Sequence, residues 1–363
     1  MMYLISEERL KQFADLMRSK TGETEECSLE EIKNKLEAVR TENDFLKFRE
    51  CDGLFSFYGA GRLTTMPKLD TRSVTNMNNM FSGCSGLTTI PQLDTSSATE
   101  MGGMFYGCSS LTTIPQLDTS SVTFMNSMFS NCSSLTTIPQ LDTRSATFMN
   151  SMFSKCSSLT TIPQLDTSSA TDIAGMFIGC SSLTTIPQLD TSSVTDMNQM
   201  FSGCTNLTTI PQLDTRSVTN MKYMFRNCSS LTTIPQLDTS SATNMDSIFS
   251  GCTNLTNCYL RNIKSSLVVG SGTTYGHLLT VDSLLYMIKE LVNTGSSKTL
   301  TMGTANTAKL SSTYVKLINI TDEMRAEDDL IDSKLPFEVC ESTEEGALAI
   351  LTDYVALKNW SIK

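Results

Sequence analysis

The sequence predicts an α/β repeat fold, a solenoid of about eight to nine stacked coils of 24 residues each. Eight cysteines lie 24 residues apart from Cys84 to Cys252, and phenylalanine keeps the same spacing at nine positions from Phe57 to Phe249. Nearly every residue between them repeats as well. One coil cannot bury its own apolar edge, so neighbouring coils must stack to close a core.

Each coil contains two apolar segments. From Met77 the repeat reads M-x-x-M-F-x-x-C-x-x-L-T-T-I-P-Q-L-D-T-x-S-V/A-T-x. The segment L-T-T-I is short, rich in β-branched residues and bounded by proline, which predicts one strand of a parallel ladder. The segment M-x-x-M-F has apolar residues at i, i+3 and i+4, which predicts a short helical turn. A 24-residue period lies in the range of leucine-rich repeats.

Three domains follow from the composition. The solenoid is predicted over residues 54–263. Residues 1–50 predict a small helical N-terminal module, whose second helix opens with a capping box from Ser28 to Glu31. A Gly/Ser-rich joint, Val269 to Gly276, precedes a small α/β module over residues 277–363, in which L-T-V-D-S-L-L-Y-M-I-K-E-L-V-N predicts an amphipathic helix.

Charge and hydropathy limit the partners. The formal net charge is -11, whereas proteins that bind nucleic acid need a basic surface, so we expect no nucleic acid partner. No run of 18 apolar residues occurs, so we expect no membrane insertion. The first residues have no secretory h-region, which predicts that the chain is made and kept in the cytoplasm.

The cysteine column predicts free thiols. In a reducing compartment each cysteine fills a small buried slot in its coil. A disulfide between Cys84 and Cys108 is the alternative, although side chains in register point the same way. No CxxC pair exists and His277 is the only histidine, so no metal and no cofactor are predicted.

Two polar columns allow alternatives. Asp94 and seven counterparts, from Asp70 to Asp238, are expected to form Asx turns, with a calcium-binding ladder as the alternative. Thr88 and Thr89 and their counterparts are good strand residues, with an ice-binding array as the alternative. Adjacent strand residues face opposite sides, so only one threonine of each pair is expected in such an array.

The sequence predicts a protein that is not an enzyme. A nucleophilic site of the Ser-His-Asp or Cys-His type would need His277, which lies in the glycine-rich joint. The glycines there match neither G-x-G-x-x-G nor a P-loop, and the paired carboxylates near the C-terminus fit a solvated charge run.

Function is expected where the repeats differ, because stacking explains the constant positions. The changing positions match Asn76, Asn78, Asn79 and Ser82, and their side chains are expected to face solvent. We call the predicted ligand-binding members of this set the variable stripe. They are Tyr106, Phe124, Phe148, Ile178, Lys222, Tyr223 and Arg226. Exposed aromatic side chains on a rigid scaffold are common anchors of recognition, and neutral drift of a tolerant surface is the alternative.

The array resembles the BspA-like leucine-rich repeats. The motifs F-x-x-C-S-S-L-T-T-I-P and D-T-S-S-V-T, seen at Phe105 to Pro115 and from Asp190, carry this resemblance. It implies a surface adhesion or interaction protein without catalytic residues. The segment from Leu10 to Ile32, and S-K-T-L-T-M-G-T-A-N-T-A-K-L with the final A-L-K-N-W, look like modules of phage and prophage tail proteins of Gram-positive gut bacteria.

Together these features predict a non-enzymatic binding protein that presents a rigid solenoid to a cell-surface protein or glycan. The flanks favour a phage tail protein for host recognition, which would contact other tail proteins and reach the virion after cytoplasmic assembly. The alternative is a bacterial BspA-like adhesin or interaction scaffold at the cell surface. The sequence leaves open whether the chain is a homo-oligomer.

Overall fold

The computed structural model describes residues 49–51, 54–66, 69, 71–268, 279–289, 291, 298–301, 314–317, 337–340 and 360–362. The chain divides into two compact units, Met1–Leu183 and Thr184–Lys363. Both units are built from stacked 24-residue coils, so the predicted repeat solenoid is present within each of them. The predicted helices before residue 49 and the capping box at Ser28 lie outside the described residues.

Backbone hydrogen bonds between coils hold the M-x-x-M-F-x-x segments of both units. In the first unit, the N–H of Phe105 donates to the carbonyl oxygen of Met128 in the next coil at 2.9 Å. Every second residue of the segment repeats this step to a carbonyl 23 residues further on. The fourth and sixth residues donate three positions back instead, as Met104 does to Met101 at 3.2 Å. From the third residue onward, the backbone N–H bonds therefore alternate between the neighbouring coil and the same coil.

The predicted short helical turns are wrong, because left-handed residues interrupt each segment. In the coil from Met125 these residues are Ser127, with φ 55°, and Asn131, with φ 63°. An α-helix needs right-handed φ values and N–H bonds to the carbonyl four residues back. The positive φ values turn alternate N–H groups towards the neighbouring coil, so the segment is a series of tight turns.

The predicted parallel ladder exists, but it lies mainly in another part of the coil. Single parallel bridges join the residues just before each M-x-x-M-F segment, such as Glu100 with Phe124 and Asp196 with Asn220. Within the described residues, only the last L-T-T-I segment contributes to a strand, β3, Thr233–Asp238.

A column of phenylalanine rings runs through the core of each unit. In the first unit the ring centroids of Phe81 and Phe105 are 5.5 Å apart with planes 5° from parallel. In the second unit Phe201 and Phe225 repeat the contact at 5.7 Å. The methionine, leucine, isoleucine and valine or alanine positions of the repeat are buried around these rings. The predicted core residues are therefore confirmed.

The cysteine column consists of buried free thiols, as predicted. The Sγ of Cys132 donates to the carbonyl oxygen of Phe105 at 3.0 Å, and Cys228 does the same to Phe201 in the second unit. Burial raises the pKa of the Cys84 thiol to about 12. The column therefore fills space and satisfies a backbone carbonyl without offering a reactive thiolate.

At the start of the first unit, two short strands precede the coils. These are β1, Arg49–Cys51, and β2, Leu54–Ser56, which pair antiparallel. The chain enters the array directly after β2, where the N–H of Phe57 donates to the carbonyl oxygen of Met80 at 2.7 Å.

A helix covers the last coil of the second unit. Strand β3 pairs in parallel with β4, Asn257–Arg261, at a 24-residue offset near Ile234 and Cys258. The predicted amphipathic helix is present as Val281–Lys289. Its Ser283 hydroxyl accepts a hydrogen bond from the N–H of Cys258 at 3.1 Å.

Side chains fix the start of this helix and its contact with β4. The Thr280 hydroxyl accepts from the N–H of Ser283 at 3.3 Å, which is an N-cap bond. The ring of Tyr286 meets that of Tyr259 edge to face, with centroids 5.4 Å apart. The helix thus covers a coil that has no further repeat to stack on it.

The remaining strands of the second unit form two small sheets. One sheet is parallel, with β6, Lys298–Thr301, between β5, Leu267–Val268, and β9, Trp360–Ile362. In the other, β7, Tyr314–Leu317, pairs antiparallel with β8, Phe337–Cys340. Among the helices that the structure describes, none is long and apolar enough to cross a membrane. The limits of the three predicted domains stay predictions.

We expect Phe129→Ala to destabilise the protein by about 3–5 kcal/mol, because it opens a cavity in the ring column. Phe148→Ala is the matched control, since its ring is 39% exposed and its loss should cost about 1 kcal/mol or less. Urea unfolding followed by circular dichroism measures both. Equal losses would contradict a core built on the phenylalanine column.

We expect the eight cysteines of the column to resist iodoacetamide at pH 8 in the folded protein. A thiol with a pKa of about 12, as at Cys84, is about 1,000-fold poorer in thiolate than an ordinary cysteine at that pH. Peptide mass spectrometry locates the labelled residues, and labelling in guanidinium chloride is the control. Rapid labelling of column cysteines under native conditions would contradict their burial.

Candidate binding groove

The structure exposes three aromatic members of the variable stripe on the first unit. The side chain of Tyr106 is 45% exposed, that of Phe124 40% and that of Phe148 39%. The Phe124 and Phe148 rings stack with centroids 5.2 Å apart and planes 5° from parallel. Their backbones are joined by a parallel bridge, so the two rings are held in register by the stacked coils.

Tyr106 and Phe124 line a groove of about 550 Å³ in the first unit. Tyr58, which is 40% exposed, adds a third aromatic ring. The other lining residues are mostly small or carry amides. They are Asn78, Asn79, Ser82, Glu100, Gly102, Gly103, Asn126 and Ser127. The groove therefore combines exposed aromatic surface with one carboxylate among its described lining residues.

Stacking brings Tyr58 into the groove, because it occupies the same repeat position as Tyr106 two coils earlier. The intervening position is Ser82, whose side chain is small and buried. The backbone confirms this order, since Gly59 N–H donates to the carbonyl of Ser82 at 2.7 Å and Gly83 N–H to that of Tyr106 at 2.6 Å. A gap of one coil therefore separates the two tyrosines.

Two asparagine amides orient the carboxylate of Glu100. The Nδ2 groups of Asn76 and Asn78 both donate to its Oε2 atom, the first at 2.9 Å. The Oδ1 of Asn78 accepts from the N–H of Gly102, and the Oδ1 of Asn76 accepts from the N–H of Asn78 at 2.9 Å. The carboxylate is thus fixed by the preceding coil, and both amides are already engaged.

Two glycines allow the coils to close together at the floor of the groove. A Cβ atom at Gly102 would lie 2.9 Å from the Oδ1 of Asn78. Gly103 has φ 61°, and a Cβ atom there would collide with the Oδ1 of Asn79. Larger residues at these positions would displace the amides that border the groove.

The remaining member of the stripe in the first unit, Ile178, lies outside the groove. Its side chain is half-buried and lies over Gly175, where a Cβ atom would come within 2.6 Å of Cδ1. Phe148 is also outside the lining, although it stacks on Phe124. The prediction of solvent exposure therefore holds only partly for Ile178.

The second unit groups the other three members of the stripe around one ring. The Nζ of Lys222 lies 4.9 Å from the ring centroid of Tyr223, and the Cζ of Arg226 lies 5.2 Å from it. Arg226 is exposed, whereas Lys222 and Tyr223 are half-buried. The Tyr223 ring is therefore already in cation–π contact with side chains of the protein itself.

The aspartate column forms the predicted Asx turns. Asp118 Oδ1 accepts hydrogen bonds from the hydroxyl of Ser120 at 2.7 Å and from its N–H at 3.1 Å. These bonds lower the pKa of the Asp118 carboxyl. Within the described residues, no three His, Cys, Asp or Glu side chains come together to hold a metal ion.

Both threonines of each L-T-T-I pair are exposed in the first unit, as at Thr112 and Thr113. The prediction that only one of them faces outward is wrong, because the segment is not a regular strand with alternating sides. The hydroxyl of Thr136 donates to the carbonyl of Thr112 at 3.3 Å, which links the first threonines of successive coils.

Sequence reasoning missed Tyr58 and Glu100 as lining residues. Both could have been found by aligning the coils, since Tyr58 is two periods before Tyr106 and Glu100 is one period before Phe124. The sequence alone does not show which positions of successive coils lie side by side in one groove.

These observations define a repeat protein of stacked coils with a groove at its variable positions. The family described as "Mycoplasma protein of unknown function, DUF285" matches residues 50–162 and 147–262, more than half of the chain. The chain belongs to this DUF285 family.

Solved structures of bacterial leucine-rich repeat proteins are similar to the chain. The T. pallidum leucine rich repeat protein shares 21% identity at a TM-score of 0.37, covering 59% of this chain and 90% of that one. A leucine rich cell surface protein from Faecalibacterium prausnitzii shares 23% identity at a TM-score of 0.29, covering 56% of this chain and 74% of that one. No curated protein matches.

Proposed function

We propose that this protein is a non-enzymatic binding or adhesion protein whose repeat array presents the variable stripe to a cell-surface ligand, either protein or glycan. The observation that carries the proposal is the exposed aromatic surface of Tyr106, Phe124 and Phe148. Large apolar rings are costly to leave in water, and aromatic residues supply much of the binding energy in recognition sites.

The rigidity of the backbone below these rings supports the same function. Phe124 and Phe148 each lie at a parallel bridge, and their neighbours Met125 and Met149 donate N–H bonds to the next coil at 2.9 Å. A ligand would therefore meet rings that are already positioned, and less conformational entropy would be lost on binding.

A cell-surface adhesin or interaction scaffold is the form of this function that we favour. The phage-tail assignment stays a prediction from sequence, because the segment from Leu10 to Ile32 lies outside the described residues. The C-terminal motif is described only in part, through β6 and β9.

The proposal predicts that the fluorescently labelled protein binds intact Gram-positive gut bacteria in a strain-selective way. A variant with Tyr106, Phe124, Phe148 and Tyr223 changed to serine should lose about tenfold or more of this binding, because it removes the anchors. Flow cytometry measures binding across a panel of strains.

The matched control changes Thr89, Thr113, Thr137 and Thr161 to serine. These side chains are also exposed but belong to another repeat position, so binding should be retained. Circular dichroism shows that both variants keep the fold. Equal binding by the wild type and the aromatic variant would disprove recognition through the stripe.

A further inference from the structure

We infer that the groove bordered by Tyr58, Tyr106 and Phe124 binds a quaternary ammonium group, such as the trimethylammonium of choline. This inference rests on the proposed function, because it assigns a ligand class to the same site. It follows from ring spacing, from charge and from the way in which the polar groups of the groove are already used.

Ring spacing is the first argument. Exposed rings on successive coils are 5.2 Å apart, as Phe124 and Phe148 show. Tyr58 and Tyr106 are two coils apart, so the spacing of the coils places the two positions about 10 Å apart along the stack. A cation midway would lie about 5 Å from each ring, within the limit of about 6 Å for a cation–π contact.

The width of the gap also favours a rounded group over a flat one. Carbon atoms in contact are about 3.5–4.0 Å apart, so a single flat ring would leave space against one of the tyrosines. A trimethylammonium group presents methyl groups in all directions and can contact both rings. Ser82 leaves this space open because its side chain is small and buried between the two tyrosine positions.

Charge is the second argument. Glu100 is the only charged residue among the described residues that line the groove, and it carries a negative charge next to three aromatic rings. The sequence has a formal net charge of -11, so the long-range field attracts cations and opposes anions. The electron-rich faces of the rings act in the same direction.

Hydrogen bonding is the third argument. The Nδ2 groups of Asn76 and Asn78 donate to Glu100, and their Oδ1 atoms accept from backbone N–H groups. A quaternary ammonium group has no N–H, so it needs no acceptor beyond the carboxylate charge and the rings. A glycan needs several donors and acceptors for its hydroxyl groups, and with Asn76 and Asn78 engaged it would depend on Asn79, Asn126 and the hydroxyls at the border of the groove.

The test is a calorimetric titration of the full-length protein with choline chloride. The neutral isostere 3,3-dimethyl-1-butanol has the same shape without the charge, and we expect it to bind at least tenfold more weakly than choline. Binding of both compounds with equal affinity would contradict a cation site. Binding of neutral oligosaccharides without choline would identify the groove as a glycan site and overturn the inference.

Variants locate the site. Tyr106→Ala should weaken choline binding about tenfold, whereas Tyr106→Phe should keep it within about threefold because the ring remains. Glu100→Gln keeps an acceptor for the two asparagines and removes the charge, so a loss of about three- to tenfold is expected. Thr113→Ala, at an exposed side chain outside the groove lining, is the matched control and should bind as the wild type does. Unchanged binding by both Tyr106→Ala and Glu100→Gln would overturn the assignment to this groove.

A second experiment distinguishes a lipid headgroup from a soluble ligand as the source of the ammonium group. Sedimentation with phosphatidylcholine vesicles, against phosphatidylglycerol vesicles, tests a lipid headgroup, and free choline tests a soluble ligand. Failure of this inference is distinct from failure of the proposed function. If choline does not bind but the aromatic variant loses cell binding, only the ligand class is wrong. If the stripe substitutions do not change cell binding, recognition through the stripe is disproved, and the choline titration still tests the ligand class by itself.

Discussion

The hydrogen bond from every second N–H of the M-x-x-M-F-x-x segment to a carbonyl in the next coil is the interaction on which the rest depends. It replaces the bonds that a helix would have made and joins each coil to its neighbour in a fixed register. Because the offset is constant, identical side chains from successive coils come into contact. The phenylalanine column, the buried thiols and the exposed ring pair all follow from that register.

The same register converts small sequence differences into a site. A residue that changes in one coil lies beside the equivalent residues of the coils before and after it, so a groove needs only a few substitutions. Glu100, Gly102 and Tyr106 all belong to one coil, and their neighbours in adjacent coils supply the amides and the other rings. The constant residues therefore provide stability, while the changing ones determine what can bind.

Periodicity predicted the stacked coils, the core and the free thiols, because a buried column requires the same residue type in every coil. It did not predict the backbone of the M-x-x-M-F segment. Apolar residues at i, i+3 and i+4 fit a helical turn, yet residues such as Ser127 adopt left-handed φ values that the contacts between coils impose. The lining of the groove could likewise be predicted only in part from the sequence. The hydrogen bonds from Asn76 and Asn78 to Glu100 depend on which atoms meet across coils.

The most direct test of this account is a long-range HNCO experiment on the deuterated protein, which detects the coupling across a hydrogen bond from an amide nitrogen to its acceptor carbonyl. For Phe129 the structure predicts a correlation with the carbonyl of Met152, 23 residues further along the chain. A correlation with the carbonyl of Met125, four residues back, would show a helical turn and would contradict the hydrogen-bonded register between coils.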